Sequence, residues 1–226
     1  AVKVIHLFTH AAGWVGDIFR DTGQGDDALD LYVKSLVNLP QQFAPGTSWA
    51  YNNAAFGVAG RIIEVITGAP VEEFLNERIC KPLGMDHSFL FPRDVITHRT
   101  ASGHEYGGEK GPKIANPWWL ARSANCVGSL ASPINDMLKY ARFQLAGDGK
   151  GENGEQIVSP EWLARTHEML APAGNYATGM GIAWILKSIG GTFAFGHNGG
   201  TNGQQAHMTV IPGEEFAIVA LANGDR

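Results

Sequence analysis

Apolar residues recur at helical spacing in several stretches of the first 170 residues, and glycine or proline ends most of these stretches. The clearest stretch runs from Asn52 or Asn53 to Gly68, and we expect a core helix whose first turn is exposed. Its predicted apolar face consists of Phe56, Ala59, Ile62, Ile63 and Ile66. Shorter helices are predicted over residues 4–10, 26–39, 70–83, 132–145 and 159–170.

Three of the predicted helices have informative first turns. Ser132 and Ser159 each precede a proline, and we expect each serine to cap the helix that the proline begins. Glu72 and Glu73 lie in the first turn of the helix over residues 70–83, where carboxylates interact favourably with the helix dipole. We expect both carboxylates to be solvated.

The pattern changes after Gly179, where runs rich in β-branched and aromatic residues replace the helical spacing. The runs cover residues 181–187, 192–197, 205–211 and 216–222. Short links that contain glycine or proline join them, which implies consecutive antiparallel strands. The last run, Phe216 to Ala222, is apolar throughout and indicates a buried strand.

These patterns predict an α+β protein. We expect a mainly helical subdomain over residues 1–170 and an antiparallel β-meander over residues 171–226 that forms part of a central sheet. Residues 91–127 show no periodicity and are rich in glycine and proline, which is typical of a loop that lines a site. Within this loop Trp118 and Trp119 either wall a substrate pocket or anchor the loop.

Composition narrows the classes of partner. The 226 residues are 44% hydrophobic, and their formal charge is 17 − 22 = −5 without any basic run. This balance argues against nucleic acid and anionic membranes as partners and suits a small neutral or cationic ligand. No apolar run reaches the roughly 18 residues of a membrane span. Cys80 and Cys126 are interpreted as buried free thiols.

Both ends of the chain look cut. The first residues are apolar and periodic without a cap or turn before them, and the last apolar run stops four residues before Arg226. No signal peptide is visible at the start of the sequence, so the cellular location is left open.

Polar residues cluster where the turn at Pro45-Gly46 leads into the clearest helix. Tyr51 and Asn53 lie at the start of that helix, a position suited to chemistry. A tyrosine with a free pKa of about 10 acts as a base near neutral pH only beside a cation. The alternative is that Tyr51 and Asn53 only satisfy the helix N-terminus, because asparagine is a favoured cap.

Histidine and glycine form a second candidate site at the end of a predicted strand, in Gly196-His197-Asn198-Gly199-Gly200. These glycines allow a ligand to approach the backbone, whose N–H groups can stabilise an oxyanion. Glycines are equally what a turn requires. His6 and His10 have the spacing of zinc ligands on a helix, but we favour bonds to the local backbone because no third ligand is evident.

Several stretches together resemble one family, the serine β-lactamase-like hydrolases, which includes class C β-lactamases, D-alanyl-D-alanine carboxypeptidases, D-aminopeptidases and related serine esterases. The stretches that carry the resemblance are Leu7 to Gly13, Tyr51 to Glu64, Pro82 to Met85, Val127 to Ser132 and Gly196 to Gly200. The resemblance implies a β-lactamase/transpeptidase-like fold. It also implies cleavage of a small-molecule ester, amide or lactam through an acyl-serine intermediate, without metal or cofactor.

The resemblance implies roles for individual residues. Tyr51 would assist proton transfer, Asn53 would hydrogen-bond the substrate, and the Gly200 N–H would serve the oxyanion hole. His197 and Gly199 match the third motif of the family. The remaining pocket candidates are Trp118, Trp119 and Asn198.

Two departures from the family pattern affect the functional prediction. No serine in the sequence has a lysine three residues on, so the nucleophile motif Ser-x-x-Lys is missing and this chain alone is predicted to be inactive. His197 replaces the lysine of β-lactamases, which favours esters or amides without an obligatory carboxylate. The alternatives are a β-lactamase, a D-alanyl-D-alanine carboxypeptidase, or a non-catalytic member that binds ligands in the same cleft.

Overall fold

The protein is described by a computed structural model in which residues 1–224 can be placed. The α-helices of this range are α1 (Val4–Phe8), α2 (Ala28–Ser35), α3 (Asn53–Thr67), α4 (Val71–Leu75), α5 (Pro92–Val95), α6 (Asn125–Gly128), α7 (Ile134–Ala146) and α8 (Pro160–Thr166). A π-helical turn, Asn76–Cys80, continues α4. The predicted helices are therefore present, but most are shorter than expected.

Strands of the second part of the chain form one antiparallel sheet in the order β3-β4-β5-β6-β7. They are β3 (Gly179–Met180), β4 (Ile185–Ile189), β5 (Thr192–Thr201), β6 (Gln204–Ile211) and β7 (Phe216–Ala222). Each strand pairs with its neighbour in sequence, so the predicted meander and the α+β class are confirmed. β5 continues through the glycines that were expected to form a turn, and the chain reverses at Asn202-Gly203.

Helix α7 packs against the sheet and forms its covered face. Buried Ala141 of α7 shares one core cluster with Leu186, Phe195, Met208 and Val210, which come from three successive strands. A separate cluster joins α2 and α3 on the helical side of the molecule. The segment around Tyr51 lies at the start of α3, and the segment around His197 lies in β5, so helix and sheet packing together position both candidate segments.

Small residues make the closest contacts of α3, and Ile62 and Ile63 of its predicted apolar face are partly buried against the core. Ala55 and Ala59 are buried, whereas Ile66 is 77% exposed, so the predicted core position of Ile66 is wrong. Gly57 lies against the ring of Tyr32 in α2, and Gly60 lies against the side chain of Cys126 in α6. Close helix packing favours small side chains at the contact, which is why glycine and alanine occupy these positions of α3.

Two expectations about helix starts differ from the structure. Ser132 does not cap α7; its hydroxyl pairs with that of Ser88 at 2.7 Å. Ser159 does cap α8, accepting the Trp162 N–H. Glu72 is buried, not solvated, because its carboxylate accepts hydrogen bonds from Arg122 at 3.2 Å and Asn125 at 2.9 Å.

Strand β7 is more exposed than its apolar sequence predicts. Phe216, Ile218 and Leu221 are 43–50% exposed, so the expectation of a buried strand is wrong for the described residues. β7 is the last strand of the sheet, and within residues 1–224 only β6 pairs along its length. A strand that is apolar on both faces is buried only when both faces are covered.

The loop over residues 91–127 is ordered by short local elements. It contains α5 and a two-stranded ribbon of β1 (His104–Glu105) and β2 (Lys113–Ile114). Near its end Arg122 forms ion pairs with Asp26 at 2.7 Å and Glu72 at 3.2 Å, which anchor the loop to the helical part of the molecule.

Among the described residues, no single helix has both the length and the hydropathy of a membrane span. Asn53–Thr67 and Val71–Cys80 meet those criteria only when they are taken together across an 85° bend. Cys80 is a buried free thiol as predicted, and Cys126 is a half-buried one.

Candidate active site

Asn52 is the N-cap residue of α3, and Tyr51 and Asn53 lie on either side of it. The Asn52 side chain accepts the Ala55 N–H at 2.8 Å and donates to the Trp14 carbonyl at 2.9 Å. Tyr51 is 37% exposed. Because Asn52 is the side-chain cap and the Gly16 carbonyl accepts the Ala54 N–H at 2.9 Å, the side chains of Tyr51 and Asn53 are not needed at the helix N-terminus.

Tyr51 faces His197 across the boundary between helix and sheet. The Tyr51 hydroxyl lies 3.5 Å from Nε2 of His197, although the two residues are 146 positions apart in the sequence. The other ring nitrogen, Nδ1, lies 2.6 Å from the carbonyl of Asn198. Because a carbonyl only accepts, the proton is on Nδ1, and Nε2 is an acceptor for the Tyr51 hydroxyl.

Both members of this pair are neutral near pH 7. Burial lowers the pKa of His197, and the nearby Lys187 lowers it further. Burial raises the pKa of Tyr51, and the negative charge of Asp17 adds to this effect. Tyr51 is therefore a protonated phenol in this structure, and its use as a base requires a cation beside it.

Asn53 is held by a carboxylate that the sequence did not single out. Its side-chain Nδ2 donates to Oδ1 of Asp17 at 2.7 Å. Asp17 lies on the exposed segment between α1 and α2, and no motif in that segment signals it. This contact was missed because it depends on how the segment folds over α3.

His10 supports Tyr51 from the core and was predicted to have only a local role. Its Nδ1 accepts the backbone N–H of Asn52 at 2.9 Å, and its ring centroid lies 4.2 Å from that of Tyr51. Burial lowers the pKa of His10 to about 4, with a smaller contribution from His197. His6 accepts the N–H of Lys3. Both histidines therefore bind backbone N–H groups, as expected, but the bond of His10 is long-range.

The described residues contain no group of three or more His, Cys, Asp and Glu side chains placed to hold a metal ion. Two stacked aromatic rings, Trp49 and Tyr176, lie near Tyr51. Trp49 and Tyr176 stack with centroids 4.9 Å apart, and Tyr176 is close enough to Tyr51 to contribute to its raised pKa. Sequence reasoning missed this aromatic pair, because Tyr176 lies in an irregular segment.

The end of β5 has one open edge. β4 pairs with β5 only as far as Gly196, whereas β6 follows it to Thr201. Residues of an antiparallel strand bond alternately to its two neighbours. Counting from the closing pair Thr201–Gln204, the N–H groups of Asn198 and Gly200 point to the side on which β4 has ended. The Gly200 N–H thus lies on the open edge of β5, where β4 leaves it unpaired.

Trp118 and Trp119 line a cavity of about 910 Å³ that also borders Gly199 and Gly200. Tyr51, Asn53 and His197 do not line it. Gly199 and Gly200 therefore border this cavity two and three residues beyond His197 on the same strand. The side chain of Asn198 bonds His207 at 2.5 Å.

Substitution of Gly196 by alanine is expected to weaken the sheet. A Cβ at this position would overlap the carbonyl oxygen of Met208 on β6, so the two central strands would have to separate. We expect a loss of about 1–3 kcal/mol in the free energy of unfolding, the usual cost of overpacking. Urea denaturation measures this loss in the free energy of unfolding. Gly200→Ala is the matched control, because its Cβ would meet only the flexible Gln205 side chain; an equal loss in both variants would contradict this account.

Taken together, fold and site define an α+β protein in which a tyrosine at a helix start faces a histidine on a central strand, beside an open strand edge. The chain belongs to the Beta-lactamase family, because the family model of that description matches residues 1–226. The family resemblance seen in the sequence is thereby confirmed.

Individual relatives agree with the family assignment. The chain is 32% identical to penicillin-binding protein 4 of Amycolatopsis lactamdurans, over 99% of this chain and 60% of that protein. It is 32% identical to a D-aminopeptidase of Gluconobacter oxydans over 45% of this chain and 19% of the relative. The chain thus spans less than two thirds of these relatives.

A solved structure shows the same fold. The octameric penicillin-binding protein homologue from Pyrococcus abyssi superimposes with a TM-score of 0.80 at 23% identity, over 99% of this chain and 52% of that one. The expected β-lactamase/transpeptidase-like fold is therefore confirmed.

Proposed function

We propose that this chain is part of a serine hydrolase that cleaves a small ester or amide through an acyl-serine intermediate. The observation that carries the proposal is the Tyr51–His197 pair, which lies beside the open edge of β5 that carries the Gly200 N–H. A proton-transfer group next to a backbone oxyanion donor is the arrangement that acyl transfer requires. Membership of the Beta-lactamase family supports the same chemistry.

In this proposal the nucleophilic serine comes from outside residues 1–226. No Ser-x-x-Lys motif occurs in this chain, and Tyr51 has a raised pKa without the cation that would make it a base. A lysine that accompanies the serine would supply that cation. The apolar strand β7 and the cavity beside Gly199 offer surfaces that an additional segment of the polypeptide could cover.

Each residue then has a defined task in acyl transfer. Tyr51, held against His10 and His197, would pass the proton between the serine and the leaving group. Asn53 would hydrogen-bond the substrate, and the Gly200 N–H would stabilise the oxyanion of the tetrahedral intermediate. One such oxyanion donor typically contributes about 3–4 kcal/mol of transition-state stabilisation.

The electrostatics of His197 favour substrates without an obligatory carboxylate. Burial lowers its pKa, so the ring is neutral near pH 7 and does not provide a fixed positive charge. A lactam with an anionic group therefore gains less here than at a lysine. A non-catalytic ligand-binding role is the second candidate, and the lack of a Ser-x-x-Lys motif favours it.

An active-site label distinguishes the two candidates. We expect a fluorophosphonate probe to label the protein extended by its upstream coding sequence and to leave the 226-residue chain unlabelled. The reason is that the probe reacts only with an activated serine. Labelling of any serine within residues 1–226 would contradict the proposal. An extended protein without Ser-x-x-Lys and without labelling would favour the ligand-binding role.

A further inference from the structure

His10 binds the backbone on both sides of Tyr51. Its carbonyl accepts the N–H of Ala50 at 2.9 Å, and its Nδ1 accepts the N–H of Asn52 at 2.9 Å. Ala50 and Asn52 directly precede and follow Tyr51 in the sequence. The backbone that carries Tyr51 is therefore attached at two points to a single residue from outside α3.

The backbone of His10 has a left-handed conformation, with a φ of 55°. This conformation is uncommon for residues other than glycine, although histidine, asparagine and aspartate adopt it more often than most. It persists only where the surrounding structure compensates for its cost. At His10 the carbonyl and the ring both bond to residues 50–52, and these two bonds supply that compensation.

Aromatic side chains fix the orientation of the His10 ring. Its centroid lies 4.2 Å from that of Tyr51, 5.2 Å from that of Phe56 and 6.1 Å from that of Trp49. His10 is only 1% exposed, so its ring cannot turn over without disturbing these contacts. A turned ring would also carry Nδ1 away from the Asn52 N–H. The structure therefore holds the ring in one orientation.

The hydrogen bond from Asn52 to the His10 ring cannot be replaced by water. Asn52 is 1% exposed, and a buried N–H without an acceptor is costly. Burial lowers the pKa of His10 to about 4, so Nδ1 is unprotonated near pH 7 and remains an acceptor. Loss of the acceptor would thus force the segment that carries Tyr51 to shift.

We propose that His10 is a positioning residue: the hydrogen bond from Asn52 to its Nδ1 holds the Tyr51 hydroxyl where proton transfer takes place. This proposal rests on the proposed serine hydrolase and adds a residue to its site. The hydroxyl meets Nε2 of His197 at 3.5 Å, a contact that a small shift would break. A misplacement of about 1 Å can lower a catalytic rate by about 10²-fold.

The competing explanation is that His10 only fills the core. His10→Asn and His10→Gln separate the two explanations, because both remove the ring and introduce the same amide group. The asparagine oxygen lies at the distance of Nδ1 from the backbone, whereas the glutamine oxygen lies one bond farther out. Asparagine can therefore accept the Asn52 N–H, and glutamine cannot do so from the same place.

We expect His10→Gln to lower kcat of the extended protein for a p-nitrophenyl ester by about 10²-fold and His10→Asn to lower it less than about fivefold. KM should change less than about threefold in both variants, because the substrate contacts are kept. Rates are divided by the folded fraction from thermal melting, so a loss of stability alone does not lower them. Equal values of kcat in the two variants would overturn the proposal.

A second histidine provides the matched control. His6 in α1 also accepts a backbone N–H through Nδ1, that of Lys3 at 3.2 Å, but this bond lies within α1 and its N-cap. We expect His6→Gln to leave kcat unchanged. If the His10→Gln variant does not fold, His10→Ala takes its place, because alanine also lacks an acceptor for the Asn52 N–H.

A structural measurement tests the position of Tyr51 without hydrolysis. The ring centroids of Tyr51 and His197 lie 6.0 Å apart, so protein labelled at tyrosine and histidine should show a nuclear Overhauser effect between the two rings. We expect this effect in the wild type and in His10→Asn and its loss in His10→Gln. Its persistence in His10→Gln would overturn the proposal. If the effect depends on His10 as expected but the extended protein hydrolyses no ester or amide, the serine hydrolase alone is contradicted.

Discussion

Replacing Tyr51 by phenylalanine in the extended protein is expected to lower kcat for a p-nitrophenyl ester by about 10²-fold or more, the range of general acid–base catalysis. The hydroxyl that lies 3.5 Å from Nε2 of His197 is lost, while the ring that packs on His10 at 4.2 Å is kept. The hydroxyl would act in the proton-transfer step and not in substrate binding. We therefore expect kcat to fall and KM to change little.

A neighbouring tyrosine provides the control for this result. Tyr176→Phe removes a hydroxyl near the site but keeps the stack on Trp49 at 4.9 Å, and we expect a much smaller loss of kcat. Steady-state kinetics of both variants, with thermal melting to confirm folding, make the comparison. Unchanged turnover of Tyr51→Phe would remove this residue from the mechanism and leave the proposed role of the site without its main support.

Replacing Arg122 by alanine is expected to lower the free energy of unfolding by about 3–5 kcal/mol, because it leaves the buried Glu72 carboxylate without its cation. The side chains of Arg122 and Glu72 are only 9% and 7% exposed. Arg122 also pairs with Asp26, so the substitution additionally releases the end of the 91–127 loop. Urea denaturation of the protein measures the loss.

An exposed ion pair gives the matched comparison. Lys81→Ala removes the partner of Glu77, whose side chain is 47% exposed, and should cost less than about 1 kcal/mol. Adding Glu72→Gln to Arg122→Ala should recover part of the stability, since no uncompensated charge then remains buried. Similar midpoints for Arg122→Ala and Lys81→Ala would show that burial does not strengthen this ion pair.

Local chemistry explains which parts of the fold were predictable. Helix α3 ends next to Gly68 as predicted, and β5, β6 and β7 lie within one or a few residues of their predicted bounds. Short links admit only antiparallel neighbours, so the order of the strands also followed from the sequence. The division into subdomains at residue 170 stays a prediction.

Predictions of burial were less successful, because burial depends on what packs against an element. Ile66 of α3 and Phe216 of β7 are both apolar, and both are largely exposed. Glu72, which was expected to be solvated, is buried because Arg122 reaches it from a position 50 residues later in the sequence. A periodic pattern identifies a helix or a strand, but it does not identify which other element packs against it.

The sequence by itself determined the family and predicted the two segments that would carry its chemistry, since Tyr51 to Asn53 and Gly196 to Gly200 occur in the order of one family. Only the tertiary structure decided that Asn52 is the cap, that Tyr51 meets His197, and that Asp17 joins them. The physical reason is distance along the chain: capping and turns act over a few residues, whereas Asp17 reaches the site only because Gly16 lets its segment pack onto α3.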